Sequence, residues 1–144
     1  MTRTMTPTPD TWALMGPPPP RLKLKAVEES AKAARDFARD YIAFHVSEIG
    51  SDLLDDVLLV VCEIVTNAIR YGTEPGDSLL VALDHGPDRV SIEVHDTRRA
   101  SPRFRPESVE RQRGRGMFIV DALATWGVRD RPFGKVVWAE VKAS

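Results

Sequence analysis

The chain has 144 residues, 42% of them hydrophobic and 28% charged, which is enough apolar material for the core of one compact domain. Its formal net charge of −1 gives no overall positive field, which argues against a protein that gathers nucleic acid or anionic membrane by charge alone. The single cysteine, Cys62, lies in an apolar run and has no second cysteine to bridge, so a buried small side chain is expected there.

The first 20 residues, MTRTMTPTPDTWALMGPPPP, are rich in threonine and proline and lack the apolar core of a signal peptide. The four prolines at 17–20 favour an extended conformation and offer no backbone donors to a helix or sheet. We therefore expect a flexible tail at residues 1–20 and one domain at residues 21–144. No stretch approaches the length of a membrane span, and the expected location is the cytoplasm.

Hydrophobic periodicity divides the rest of the chain into helices and strands. An amphipathic helix is expected at residues 27–47, with Val27, Ala34 and Tyr41 among the residues of its inner stripe. The other expected elements are a short strand in RLKLKA, a helix at 52–71, strands near 78–84 and 89–95, an irregular segment at 97–113, a helix at 115–125, and two closing strands in WGVRD and GKVVWAEV. This order predicts an α+β fold, a two-layer sandwich in which helices cover one face of a mixed, mainly antiparallel sheet.

The second predicted helix carries a polar row within an otherwise apolar sequence, VVCEIVTNAIRYG. At about 100° per residue, Glu63, Asn67 and Arg70 fall on the side opposite the main apolar stripe. Leu59 and Val60 flank this side, so the row is not set in an ordinary charged surface. Two interpretations remain open from this helix alone: the floor of a pocket, or an exposed row worth a few tenths of a kcal/mol.

A second group of candidate residues follows the predicted hairpin. Asp96 ends the strand VSIEVHD, and a long polar loop then leads to Gly114 and Gly116 at the start of GRGMFIVDAL. Glycines allow close backbone approach, and the N–H groups at a helix start suit a phosphate. Each signal is weak alone, because a strand-end aspartate is usually a turn former and a lone GxG is usually a flexible turn. Together with the polar row, they are the parts needed to hold a nucleotide by metal, base and phosphates.

The motifs EIVTNAIRYG, VHDTRRASPRF and GRGMFIVDALATWGV, in this order and spacing, resemble the anti-sigma-factor serine kinases of the gyrase and histidine-kinase ATPase superfamily. The resemblance covers about residues 21–143 and is strongest to the small single-domain regulators of actinobacteria. It implies a Bergerat-type ATP-binding fold with ATP and Mg²⁺ as cofactors.

The same resemblance implies roles for individual residues. Glu63 corresponds to the catalytic or water-orienting glutamate and Asn67 to the magnesium ligand. Arg70 corresponds to a basic residue near the phosphates, and Asp96 to the aspartate that receives the adenine amino group. The segment Gly114, Arg115 and Gly116 corresponds to the lid that covers the phosphates, and we count all three among the nucleotide-binding residues. The chain departs from many relatives near Val136, where they often carry a hydroxyl residue that assists adenine recognition; GKVVW offers only Val136 and Val137 after Lys135.

The segment 97–113 is unusually rich in arginine. Such side chains can meet triphosphate oxygens through their planar fork of donors, or can simply be solvated. The six are Arg98, Arg99, Arg103, Arg105, Arg111 and Arg113. Direct nucleic-acid binding is ranked low, because Phe104 is the only stacking aromatic in the segment.

The resemblance implies an ATP-dependent serine/threonine protein kinase that acts as an anti-sigma factor and takes part in transcription regulation. Its expected partners are a sigma factor and a small anti-sigma-factor antagonist that it phosphorylates, with a homodimer possible and no membrane partner. The alternative is a nucleotide-sensing module that sequesters a partner without phosphate transfer, since the same pocket serves both activities.

Overall fold

The computed structural model of the protein describes residues 20–46, 48–74, 76–96, 117–132 and 134–143. Residues 1–19 of the expected tail lie outside this part of the chain. So does the segment 97–113 with its six arginines, as do Gly114, Arg115 and Gly116. At the start of the described part, the carbonyl oxygen of Pro20 accepts a hydrogen bond of 2.8 Å from the backbone N–H of Leu83, so sheet pairing begins one residue before the predicted domain boundary.

The described residues form a five-stranded sheet with helices, in the order that the sequence predicted. The elements are β1 (Arg21–Lys25), α1 (Glu29–His45), α2 (Ser51–Asn67), a π-helical turn (Ala68–Gly72), β2 (Ser78–Gly86), β3 (Arg89–Asp96), α3 (Met117–Leu123), β4 (Thr125–Arg131) and β5 (Gly134–Lys142). The strand order is β1-β2-β3-β5-β4, and each of these neighbouring strands runs antiparallel to the next. The predicted α+β fold is therefore confirmed.

The core lies between the helices and one face of the sheet. On β3, Val90, Ile92 and Val94 are buried while the alternate residues are partly exposed, because successive strand side chains point to opposite faces. The helices contribute small and aliphatic side chains to the same layer, among them Ala34, Phe37, Ala38, Ile42, Val57, Val60, Val61, Ile64 and Val65. Val27 does not belong to this stripe. It precedes α1, which begins at Glu29, and it is 44% exposed.

The opposite face of the sheet carries a polar network. Arg131 donates to His95 Nδ1 at 2.7 Å, and the His95 Nε2–H group donates to Glu93 Oε1 at 2.8 Å. Arg129 donates to Glu93 Oε2 at 2.9 Å. Burial would raise the pKa of Glu93, but the hydrogen bonds from His95 and Arg129 and the positive charge of Arg129 outweigh it and hold that pKa below its ordinary value.

Among the described residues, none of the helices is long and apolar enough to cross a membrane.

Candidate nucleotide-binding site

Asn67 is the last residue of α2, and it points into the protein. It is 6% exposed, and its amide Nδ2 atom has no hydrogen-bond partner among the described residues. The helix then changes to the π-helical turn Ala68–Gly72, a form that occurs mostly as single turns and often at functional sites. The hydroxyl of Thr73 closes this turn by donating to the carbonyl of Ile69 at 3.0 Å. A buried amide whose Nδ2 atom has no partner among the described residues therefore lies at a helix end where the backbone changes course.

The other members of the predicted polar row differ in exposure. Glu63 lies one turn before Asn67 and is partly buried, whereas Arg70 is exposed. Of the two flanking residues, Val60 is fully buried and Leu59 is 42% exposed. Asn67, in the middle of the row, is thus its most buried member, and Arg70 is not part of a buried pocket floor.

Asp96 lies at the end of β3 and is also 6% exposed. Gly72, the buried last residue of the π-helical turn, lies beside it. A Cβ atom on Gly72 would stand 3.7 Å from Asp96 Oδ2, and 3.4 and 3.6 Å from Lys135 Cε and Nζ. The absence of a side chain at Gly72 thus leaves a small space with a carboxylate and an ammonium beside it. The end of α2 and the end of β3 meet at this point.

Lys135 connects this space to Asn67. A cavity of about 20 Å³ lies between the end of α2, the start of α3 and strands β4 and β5. Its lining residues are Ile64, Asn67, Ala68, Met117, Trp126, Val128, Lys135 and Val137. In this conformation the cavity has room for about one water molecule, so any larger ligand must displace side chains around it. The cavity wall carries a buried amide and an ammonium among apolar side chains, which is the mixture that small-molecule sites use.

Lys135 and Gly72 are site residues that the sequence analysis missed. The alternation of β5 places Lys135 on the same face as Val137, Ala139 and Val141, which are buried against the helices. That alternation was visible in GKVVWAEV and could have placed the lysine on the buried face of the strand, but not beside Asp96. By the same rule Val136 faces the other side of the sheet, whereas Val137 shares the face of Lys135.

Among the described residues, no three His, Cys, Asp or Glu side chains are grouped so that they could hold a metal ion. The donor that the site does offer, the amide of Asn67, suits a hard cation such as Mg²⁺, which usually takes one or two protein ligands and otherwise phosphate oxygens and water. The Asn67 amide therefore fits a cation whose other ligands are phosphate oxygens and water.

The fold is an α+β domain in which the end of α2 meets the end of β3, and the amide of Asn67 and the carboxylate of Asp96 are both buried there. A family model described as the histidine kinase-like ATPase domain matches residues 24–140, which is well over half of the chain. The chain belongs to this family of ATPase domains, which confirms the superfamily that the three motifs indicated. Domains of this kind bind ATP, usually with Mg²⁺. No curated protein matches the chain.

Proposed function

We propose that the protein is a regulatory serine/threonine protein kinase that binds ATP and Mg²⁺, acts as an anti-sigma factor and phosphorylates a small antagonist protein. Its partners are then a sigma factor and that antagonist. The observation that supports the proposal most is the buried amide of Asn67, one helical turn after the partly buried carboxylate of Glu63. Its Nδ2 atom has no hydrogen-bond partner among the described residues. A buried polar group without a partner costs about 1–3 kcal/mol, and a protein retains such a cost most readily where a ligand completes the contact.

The described residues fit the two cofactors at separate points. A half-turn of the Asn67 amide exchanges its oxygen and nitrogen, so the same buried side chain can present Oδ1 to a hard metal. Asp96 presents carboxylate oxygens that can accept from the amino group of adenine. Gly72 leaves open the space beside that carboxylate, which a side chain would fill. Asn67 would hold Mg²⁺, and Asp96 would hold the base.

In phosphoryl transfer, the bound metal supplies charge neutralisation at the triphosphate, and the protein supplies position. Asn67 fixes the metal end of the nucleotide relative to α2, and Asp96 fixes the base end relative to β3. Glu63 accepts the proton of the attacking serine or threonine hydroxyl through its carboxylate oxygen. Its side chain is partly exposed, which gives an incoming protein hydroxyl access to it.

A paired measurement on Glu63→Ala tests the kinase proposal. Phosphate transfer to the antagonist should fall by about 10²- to 10⁴-fold, the usual contribution of a general base, while ATP affinity measured by calorimetry changes little. Asp55→Ala is the matched control, because Asp55 is an exposed acidic residue on the same helix, about two turns earlier. It should leave both quantities unchanged.

Three results would contradict the proposal in different ways. Equal losses of affinity and transfer in Glu63→Ala would place the glutamate in binding rather than chemistry. A wild-type protein that binds ATP but transfers phosphate to none of its verified protein partners would instead be the nucleotide-sensing module. A wild-type protein that binds no ATP would overturn the nucleotide site itself.

A further inference from the structure

We infer that Lys135 is a specificity-determining residue of the base pocket, whose ammonium donates a hydrogen bond to ring nitrogen N1 of adenine while Asp96 accepts from the adjacent amino group. This inference rests on the proposed binding of ATP and adds to it the residue that recognises the second atom of the base.

The sheet register brings Lys135 and Asp96 together. His95 pairs with Val136 in the antiparallel ladder between β3 and β5. One step further along, the strands bring Asp96 opposite Lys135, and both side chains lie on the face that the helices cover, as the burial of Val94 and Val137 on that face shows. A carboxylate and an ammonium are thus placed on neighbouring strands at the same depth.

The contacts around Gly72 confirm this placement. The point where a Cβ atom on Gly72 would lie is 3.6 Å from Lys135 Nζ and 3.7 Å from Asp96 Oδ2. Lys135 also lines the cavity that contains Asn67. The lysine therefore lies between the residue assigned to the base and the residue assigned to the metal. Its ammonium end, rather than only its aliphatic stem, is the part that reaches the space beside Asp96.

The chemistry of the two side chains matches one edge of adenine. An ionised carboxylate only accepts hydrogen bonds, and an ammonium only donates them. Adenine presents a donor, its amino group, next to an acceptor, N1. A 6-oxopurine presents the reverse order, an acceptor oxygen next to an N1–H donor. Lys135 and Asp96 in fixed positions would satisfy both atoms of adenine and oppose both atoms of the 6-oxopurine, and sites of this kind reject an analogue strongly because their buried polar groups are left unpaired.

The test measures the affinity of ATP and of 1-deaza-ATP, in which a C–H group replaces N1, by calorimetry with Mg²⁺ present. We expect the wild type to prefer ATP by about tenfold or more, the usual effect of removing one hydrogen bond to a charged group. Lys135→Met keeps the length of the side chain but removes the donor, so it should bind the two nucleotides with similar affinity. Lys135→Arg retains a donor and should retain the preference.

Lys142→Met is the control, because Lys142 is on the same strand but exposed near its far end, 3.7 Å from Glu140. It should keep the wild-type preference. Thermal melting of each variant shows whether it is folded. If Lys135→Met does not fold, the nucleotide preference of Lys135→Arg is compared with that of the wild type instead.

The same preference for ATP in wild type and Lys135→Met would overturn the inference, as would a wild type that binds ATP and 1-deaza-ATP equally. In both results ATP still binds, so the proposed function stands. A wild type that binds neither nucleotide overturns the proposed function as well, and the two failures are therefore distinguishable.

Discussion

Replacing Asn67 should separate the stability of the protein from its ability to bind a nucleotide. The side chain is 6% exposed and its Nδ2 atom has no partner among the described residues. An unmade hydrogen bond of this kind costs the folded state about 1–3 kcal/mol. Asn67→Leu removes the polar group and places apolar atoms against Ile64 and Met117, which line the same small cavity.

We therefore expect ligand-free Asn67→Leu to be about 1–3 kcal/mol more stable than the wild type. For a domain of this size, each kcal/mol raises the melting temperature by about 2–4 °C. The same variant should lose the magnesium-dependent part of ATP binding, because leucine has no oxygen for a hard cation. Asn67→Ala should lose that binding too, with a smaller gain in stability because it leaves a larger cavity.

Melting temperatures without ligand, and calorimetric titrations of ATP with and without Mg²⁺, test both halves of this prediction. A ligand-free Asn67→Leu protein that melts well below the wild type would show that the amide has a structural partner. Unchanged ATP affinity with and without magnesium would show that the amide is not a metal ligand.

Three further predictions concern single residues in the sheet. Asp96→Asn should lower the affinity for ATP by about tenfold or more but leave the affinity for inorganic triphosphate unchanged, because an amide can turn a donor toward the adenine amino group. Equal losses of affinity for both ligands would argue against a base contact. Gly127→Ala should lower stability by about 1–3 kcal/mol in denaturant unfolding, because its Cβ would lie 2.8 Å from Cζ2 of Trp138; a neutral effect would mean that the indole moves freely. Glu93→Gln should cost at most about 1 kcal/mol at pH 7. The pKa of Glu93 is lowered in the folded protein, so its contribution to stability is present above the ordinary value of 4.5 and is lost as the pH falls through the lower folded value. The stabilities of wild type and Glu93→Gln should therefore converge as the pH falls through that folded value. A constant difference in stability down to pH 2 would refute this.

The helices and strands were largely predictable because their periods are strong. The alternation in VSIEVHD and GKVVWAEV identified β3 and β5, and the order of elements was enough to predict helices on one face of the sheet. The start of α1 was misplaced at Val27, since an apolar residue at helical spacing looks the same inside a helix and just before one. The exact ends of elements depend on local backbone contacts that the pattern does not contain.

The site was predictable in its parts but not in its arrangement. Asn67 and Asp96 were predicted from the sequence as site residues, and the structure buries both side chains at the ends of α2 and β3. Their roles in binding stay predictions. The π-helical turn that brings Gly72 toward Asp96 has no signal in NAIRYG, because one extra residue in a helical turn is decided by tertiary contacts. Lys135 was missed because alternation shows which face of its strand a residue is on, but not which residues of the next strand lie beside it. Those depend on which strand is its neighbour in the sheet and on the pairing register.

The most direct measurement of the central claim is a crystal structure of the protein with Mg²⁺ and a non-hydrolysable ATP analogue. The account predicts the adenine amino group within hydrogen-bond distance of the Asp96 carboxylate and the metal on Asn67 Oδ1. It also predicts Lys135 Nζ beside adenine N1 and the carboxylate of Glu63 facing the terminal phosphate. A nucleotide bound elsewhere, such as on the outer face of the sheet beside Glu93 and Trp138, would contradict it.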